Sequence, residues 1–334
     1  MKIGILSSGG DCPGINASIR GVGKTALSHY GMEILGIKSG FLGLLEKDYL
    51  PLDDLSLSGL LSLGGTILGT SREKPFKKIL NGESEQKSQI ILDHYRESGL
   101  DCLVCIGGNG TQKTAYKLSQ LGLNVIGIPK TIDNDVWGTD MTFGFYTAVD
   151  IATEAIDRLH STASSHKRVM VIELMGHKAG WITLYAGMAG GADIILLPEL
   201  GYDINKVNQA IMDRTTKGKS YSIVAVGEGL EIDCKRIEKA TGIETRKTTL
   251  GYVQRGGSPL AYDRILATQL GGHATELIAQ GQFGRMVCLQ NNQIRSIPLQ
   301  ETAGKLKTVP ADHDLIAQGL RMGISFGIDY SIIG

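Results

Sequence analysis

IGILSSGGDCPG, residues 3–14, and LVCIGGNGTQ, residues 103–112, are the two stretches that decide the fold class. Each opens as a short apolar run, breaks at paired glycines and continues into residues with helical spacing, the first half of a βαβ unit. Outward from them the same alternation recurs. Runs near 2–7, 33–38, 101–106, 124–128, 168–174, 193–197, 221–226, 243–248 and 285–290 read as strands. Apolar residues at three- and four-residue spacing predict helices near 15–29, 86–98, 111–121, 140–161, 179–189, 204–217, 234–241 and 262–280. The pattern is that of an α/β chain with mainly parallel sheets. Its 334 residues suffice for about two domains. No Pro- or Ser-rich linker separates two halves, so the chain is expected to pass between two lobes more than once.

Composition narrows the partners. Lys and Arg number 34 and Asp and Glu 34, a formal net charge of zero that argues against a nucleic-acid grip or a polybasic membrane tether. No run approaches the ~20 apolar residues of a membrane span, and the opening MKIGILSSGG does not read as a secretory leader. A cytoplasmic location is expected. The cysteines, Cys12, Cys102, Cys105, Cys234 and Cys288, are odd in number and read as thiols. Cys102 and Cys105 form a CxxC, but inside a strand-like run and with no second Cys or His pair at zinc spacing. Glycine, 45 residues, is about twice as frequent as the ~7% of average proteins.

The two glycine stretches are candidate phosphate loops, because glycine lets backbone N–H groups approach an oxyanion and the following helix adds its positive end. The plain alternative is a tight strand-to-helix turn with no ligand. GVGKT at 21–25 is not a Walker A loop, since Ser18 stands where the first glycine belongs, and no GxGxxG follows the first strand. The densest chemistry lies in PKTIDNDVWGTD, residues 129–140, at the end of a predicted strand. Asp133, Asp135 and Asp140 crowd it with Lys130 alongside, and carboxylates so close call for a cation, a general-base task or backbone donors. An acid-rich turn capping the next helix is the alternative. SSHKR (164–168), MGHKAG (175–180), GEG (227–229), ETRK (244–247) and GYVQRGGSP (251–259) add polar or basic residues near further strand ends, a set suited to a phosphorylated polyol.

SSGGDCPGINASIRG, LGTSR, IGGNGT, PKTIDND, AIDRL, SSHKR, MGHKAG and QRGGSPLAYDR occur in an order that resembles the 6-phosphofructokinases, over residues 1 to about 290. The resemblance implies two similar three-layer α/β lobes with the active site in the cleft between them. Residues 1–144 plus about 257–305 would bind the donor, and about 145–256 plus 306–334 the sugar phosphate. It implies phosphoryl transfer from ATP to the 1-hydroxyl of fructose 6-phosphate, a glycolytic step, with Mg2+ as metal and a homodimer or homotetramer as the working assembly. Asp133 matches the general base, and Thr131 and Asp135 its flanking residues; Arg72 completes the catalytic set. Gly10, Arg72, Glu73, Gly108, Asn109, Gly110 and Thr111 match the donor site. Thr131, Ile132, Asp133, Met175, Gly176, His177, Glu228, Tyr252, Val253, Gln254 and Arg255 match the sugar-phosphate site, which Arg168 and Arg246 reach from a neighbouring subunit.

Asn109 and Asp135 match the metal shell, with Asn109 in place of the aspartate usual in ATP-using members. Two positions bear on the donor. Lys130 is typical of pyrophosphate-dependent relatives but also occurs in ATP users of the same branch. Gly110 stands where pyrophosphate users usually carry aspartate, a carboxylate that would repel the α-phosphate of a nucleotide. Removing that like charge is worth ~1–4 kcal/mol at an effective dielectric of 20 to 80. ATP is therefore the expected donor, with pyrophosphate as the alternative.

Overall fold

The computed structural model describes residues 1–76 and 83–329. Its strands are β1 (Lys2–Ser8), β2 (Glu33–Ile37), β3 (Tyr49–Leu52), β4 (Cys102–Gly107), β5 (Val125–Pro129), β6 (Val169–Leu174), β7 (Ile194–Leu196), β8 (Ser222–Gly227), β9 (Thr245–Thr249), β10 (Arg285–Gln290) and β11 (Gln293–Pro298). The helices are α1 (Ile15–Tyr30), α2 (Phe41–Glu46), α3 (Glu83–Glu97), α4 (Asn109–Gln120), α5 (Phe145–His166), α6 (Trp181–Ala189), α7 (Ile204–Thr216), α8 (Cys234–Thr241), α9 (Ala261–Ala279), α10 (Leu299–Thr302) and α11 (Asp314–Arg321).

The chain divides into two compact units. Unit 1 comprises Met1–Thr131, Asp135–Tyr146 and Arg255–Lys307; unit 2 comprises Ile132–Asn134, Thr147–Gln254 and Thr308–Gly334. The last five residues of the expected sugar-phosphate lobe, 330–334, lie outside the described residues. Arg255 belongs to unit 1, and Ile132–Asn134 are an excursion whose two flanks belong to unit 1.

Unit 1 is built on a seven-stranded sheet in the order β11-β10-β5-β4-β1-β2-β3. Its five inner strands are mutually parallel, while β3 and β11 pair antiparallel at the two edges. Inner strands such as β4 are buried along their whole length, as expected where helices cover both faces. The edge strands β3 and β11 are absent from the sequence expectation. Each carries a proline, Pro51 and Pro298, which cannot donate to a ladder and is tolerated at an edge. The helix expected from residue 140 begins at Phe145, because Gly144 turns the chain at φ 94° just before it.

Unit 2 carries a four-stranded parallel sheet, β7-β8-β6-β9. Val169, Val171, Val224 and Val226 on its central strands pack with Val207 and Ile211 of α7 and Ile237 of α8. β9 (TRKTT) is polar and exposed beyond its first residue, which suits its edge position. No helix among the described residues is long and apolar enough to cross a membrane. The five cysteines are free thiols. Burial pushes those of Cys12 and Cys288 up to about 12 and about 11, so both stay protonated at neutral pH.

Candidate active site

In unit 1 the chain runs from β1 to β2 on one side, whereas β4 lies on the other side of β1. The strand order therefore reverses between β1 and β4, and open parallel sheets bind ligands at the carboxyl ends flanking such a reversal. Both glycine stretches leave the sheet there. Gly9 N–H donates to Ser71 O at 3.0 Å and Thr70 Oγ1 to Gly9 O at 2.6 Å, which draws the segment bearing Arg72 onto the first loop. Arg72 is exposed and forms no ion pair among the described residues, whereas Glu73 pairs with Lys87 of α3 at 2.8 Å. The guanidinium of Arg255 lies over Gly10: a Cβ there would sit 2.4 Å from Nη1, so a larger residue would displace the guanidinium. Arg255 Nη1 donates to Asp11 O at 3.4 Å. Arg255 belongs to the unit that carries the first glycine loop.

The second loop enters α4 at Asn109 with no side-chain cap and no acid in the first turn, leaving N–H groups and the positive helix end available to an anion. Thr111 is buried and its hydroxyl donates to Ser8 O at 3.4 Å, tying the two loops together. Gly108 has ordinary contacts behind it, from Lys130 O and Thr131 Cβ. Gly110 is exposed, and a Cβ there would meet nothing within 4 Å. Nothing in the fold requires that glycine.

β5 ends at Pro129 and delivers Lys130, whose buried ammonium donates to the carbonyls of Ser8, at 3.1 Å, and Gly10. Lys130 therefore braces the first glycine loop. Beyond it the carbonyls on either side of Asp133 are pinned: Thr142 Oγ1 donates to Thr131 O at 2.7 Å, and Asp135 O accepts from Asn109 Nδ2 at 3.1 Å and Lys307 N–H at 2.9 Å. Asn134 turns the chain between them at φ 51°. Ile132, Asp133 and Asp135 are all buried.

A divalent cation fits this loop. Asn109 directs its amide nitrogen to Asp135 O, and its Oδ1 is buried with no hydrogen-bond partner. That acceptor and the Asp135 carboxylate are oxygen ligands of the kind Mg2+ takes beside substrate phosphates. Among the described residues no group of three or more His, Cys, Asp or Glu side chains could hold a metal.

In unit 2, Met175, Gly176 and His177 follow β6, and Glu228 follows β8. The Glu228 carboxylate accepts from Gly176 N–H at 3.2 Å and His177 N–H at 2.8 Å, joining the two strand ends in one cluster. His177 adopts φ 54°, which turns the loop back at that point. Arg168 and Arg246 lie elsewhere. They stand at the opposite, amino-terminal ends of β6 and β9, joined by the carboxylate of Glu244. Six residues of β6 separate Arg168 from Met175, about 20 Å of strand, more than one hexose phosphate can bridge. Of the turn Gly251–Arg255, Tyr252 and Val253 project to solvent, 73% and 61% exposed, while Gln254 is fully buried.

Sequence reasoning missed the residues that fix these loops: Thr142, Lys307 and Gln112, whose amide donates to Gly107 O at 2.8 Å and Ile128 O at 3.0 Å. Each bonds to backbone carbonyls, which leave no signature in sequence.

The sequence matches the family profile Phosphofructokinase over residues 2–278. A Bacteroides thetaiotaomicron protein named ATP-dependent 6-phosphofructokinase 3 is 64% identical over 336 residues, covering 98% of this chain and 100% of that one. An ATP-dependent 6-phosphofructokinase of Spirochaeta thermophila is 55% identical over 355 residues, with 97% of each chain covered. Among solved structures, the phosphofructokinase of Saccharomyces cerevisiae superposes with a TM-score of 0.82 at 31% identity, over 90% of this chain and 45% of the yeast chain. The present chain thus spans about half the length of that larger relative.

Proposed function

The chain belongs to the phosphofructokinase family, and from that premise we propose that it transfers the terminal phosphoryl group of ATP to the 1-hydroxyl of fructose 6-phosphate, giving fructose 1,6-bisphosphate and ADP, as a cytoplasmic enzyme of glycolysis. One observation carries the reading. The loop bearing Asp133 leaves the carboxyl end of β5, the sheet neighbour of β4, whose own loop presents Gly108, Asn109 and Gly110 at the start of α4. Full-length relatives named for ATP support the nucleotide as donor.

In this reading Gly10, Gly108, Gly110 and the first turn of α4 receive the phosphates of the donor, with Arg72 countering their charge. Asp133 takes the proton of the sugar 1-hydroxyl as its oxygen attacks the terminal phosphorus and ADP departs. Pinning of the Thr131 and Asp135 carbonyls fixes the backbone that carries the base. Mg2+ would be held by Asp135 and Asn109 and would supply charge neutralisation to the phosphates. Met175, Gly176, His177 and Glu228 would orient the sugar. A coupled assay with fructose 6-phosphate tests the reading: turnover with ATP well above that with pyrophosphate is expected, and no turnover with either donor would overturn it.

The placement of Arg168 and Arg246 at the far end of the β6 sheet supports a shared site in a homodimer or homotetramer, in which they hold the 6-phosphate bound to a neighbouring subunit. Coexpressing Asp133→Asn with Arg246→Ala should then give mixed oligomers with activity that neither parent has. A mixture no more active than its parents would count against sharing.

A further inference from the structure

The segment after α10 lies against the loop that carries Asp133 and Asp135. Leu306 forms an antiparallel bridge with Val136, and Lys307 N–H donates to Asp135 O at 2.9 Å. The ammonium of Lys307 donates to Thr139 O at 2.9 Å and Asp140 O at 2.8 Å. Lys305 places its own ammonium 5.6 Å from the centre of the Trp137 ring. Residues 135–140 are thus held by 305–307 at five points, Asp135, Val136, Trp137, Thr139 and Asp140. The same Asp135 carbonyl that the Lys307 backbone N–H meets also receives Asn109 Nδ2, while the Lys307 side chain holds the far end of the loop at Thr139 and Asp140.

We propose that Lys307 is a positioning residue for the reaction: its side chain holds the 135–140 loop so that the Asp135 carboxylate and the Asn109 Oδ1 face the same place. The proposal rests on the reading of Asp135 and Asn109 as the metal shell. A half-buried ammonium bonded to two backbone carbonyls cannot be exchanged for an apolar group without removing the donor from both acceptors, so the loop should loosen when the charge is removed. Groups that orient metal ligands cost roughly 10- to 100-fold in metal affinity when lost.

The test compares Lys307→Met and Lys307→Arg with wild type, in two measurements. The first uses ligand-free protein and reads the loop directly. Trp137 is 45% exposed and Trp181 buried, so acrylamide quenching of tryptophan fluorescence reports Trp137. Quenching should rise in Lys307→Met and return toward wild type in Lys307→Arg. The second is the Mg2+ concentration for half-maximal turnover, expected to rise about 10-fold or more in Lys307→Met while KM for fructose 6-phosphate stays within about twofold. If Lys307→Met does not fold, Lys307→Gln, which keeps a donor, should show both shifts at smaller size. Unchanged quenching, or a lowered melting temperature with Mg2+ dependence unaltered, overturns the proposal. Failure of the metal-shell reading looks different: quenching would rise, yet Asp135→Asn would leave the Mg2+ dependence where it was.

Discussion

Replacing Gly110 by aspartate is expected to lower kcat/KM for ATP by on the order of 10- to 1000-fold, a loss of about 1.4–4 kcal/mol in transition-state stabilisation, without weakening the fold. The position is exposed in the first turn of α4, and a side chain there has at least 4 Å of clear space around its Cβ. Glycine inside a helix costs roughly 0.5–1 kcal/mol relative to alanine, and a carboxylate at a helix amino terminus contributes about 0.3–1 kcal/mol. The variant should melt at or above the wild-type temperature, so any loss of ATP turnover is a donor effect and not an unfolding effect. ATP brings an α-phosphate and a nucleoside that pyrophosphate lacks, and the aspartate would oppose that part by bulk and by charge. Discrimination would come from the repulsive element. Measuring kcat/KM for both donors in both proteins decides it: a wild type that prefers pyrophosphate, or ATP kinetics untouched by Gly110→Asp, would refute the donor assignment.

Asp133→Asn should reduce kcat by about 10²- to 10⁴-fold, the range of general-base contributions, with fructose 6-phosphate binding nearly intact. The substitution preserves shape and removes the proton acceptor. Because the carbonyls of Thr131 and Asp135 are held by Thr142, Asn109 and Lys307, the loop should keep its course. Equilibrium binding of the sugar phosphate, measured beside single-turnover rates, separates the two effects. A variant that retained more than about a tenth of wild-type kcat would show that the proton goes elsewhere.

The inner strands and the long helices were legible in the sequence because their signals are local. A parallel strand buried on both faces is a short apolar run, and α1, α7 and α9 carry apolar residues at helical spacing. Both glycine loops and the acid loop could likewise be read as strand ends, since a break from apolar run to Gly or Asp is written in consecutive residues. The family resemblance rested on those same stretches. β3 and β11 escaped because edge strands with one exposed face and a proline do not alternate cleanly, and their pairing is decided by the neighbouring strand.

The sequence by itself thus determined the α/β class, the two glycine loops and the acidic loop after the fourth predicted strand, and Gly110 set the expectation of ATP as donor. Only the tertiary structure decided which ends of the sheets these residues share. The sheet order puts the Gly10 and Gly108–Gly110 loops side by side at the reversal between β1 and β4, although about a hundred residues separate them. It also places Arg255 over Gly10 and Lys307 against Asp135, and separates Arg168 and Arg246 from Met175 and Glu228 by the length of a strand. Such pairings follow from strand order and from hydrogen bonds to backbone carbonyls. Every residue offers the same carbonyl, so its sequence position carries no mark of the side chain that will meet it.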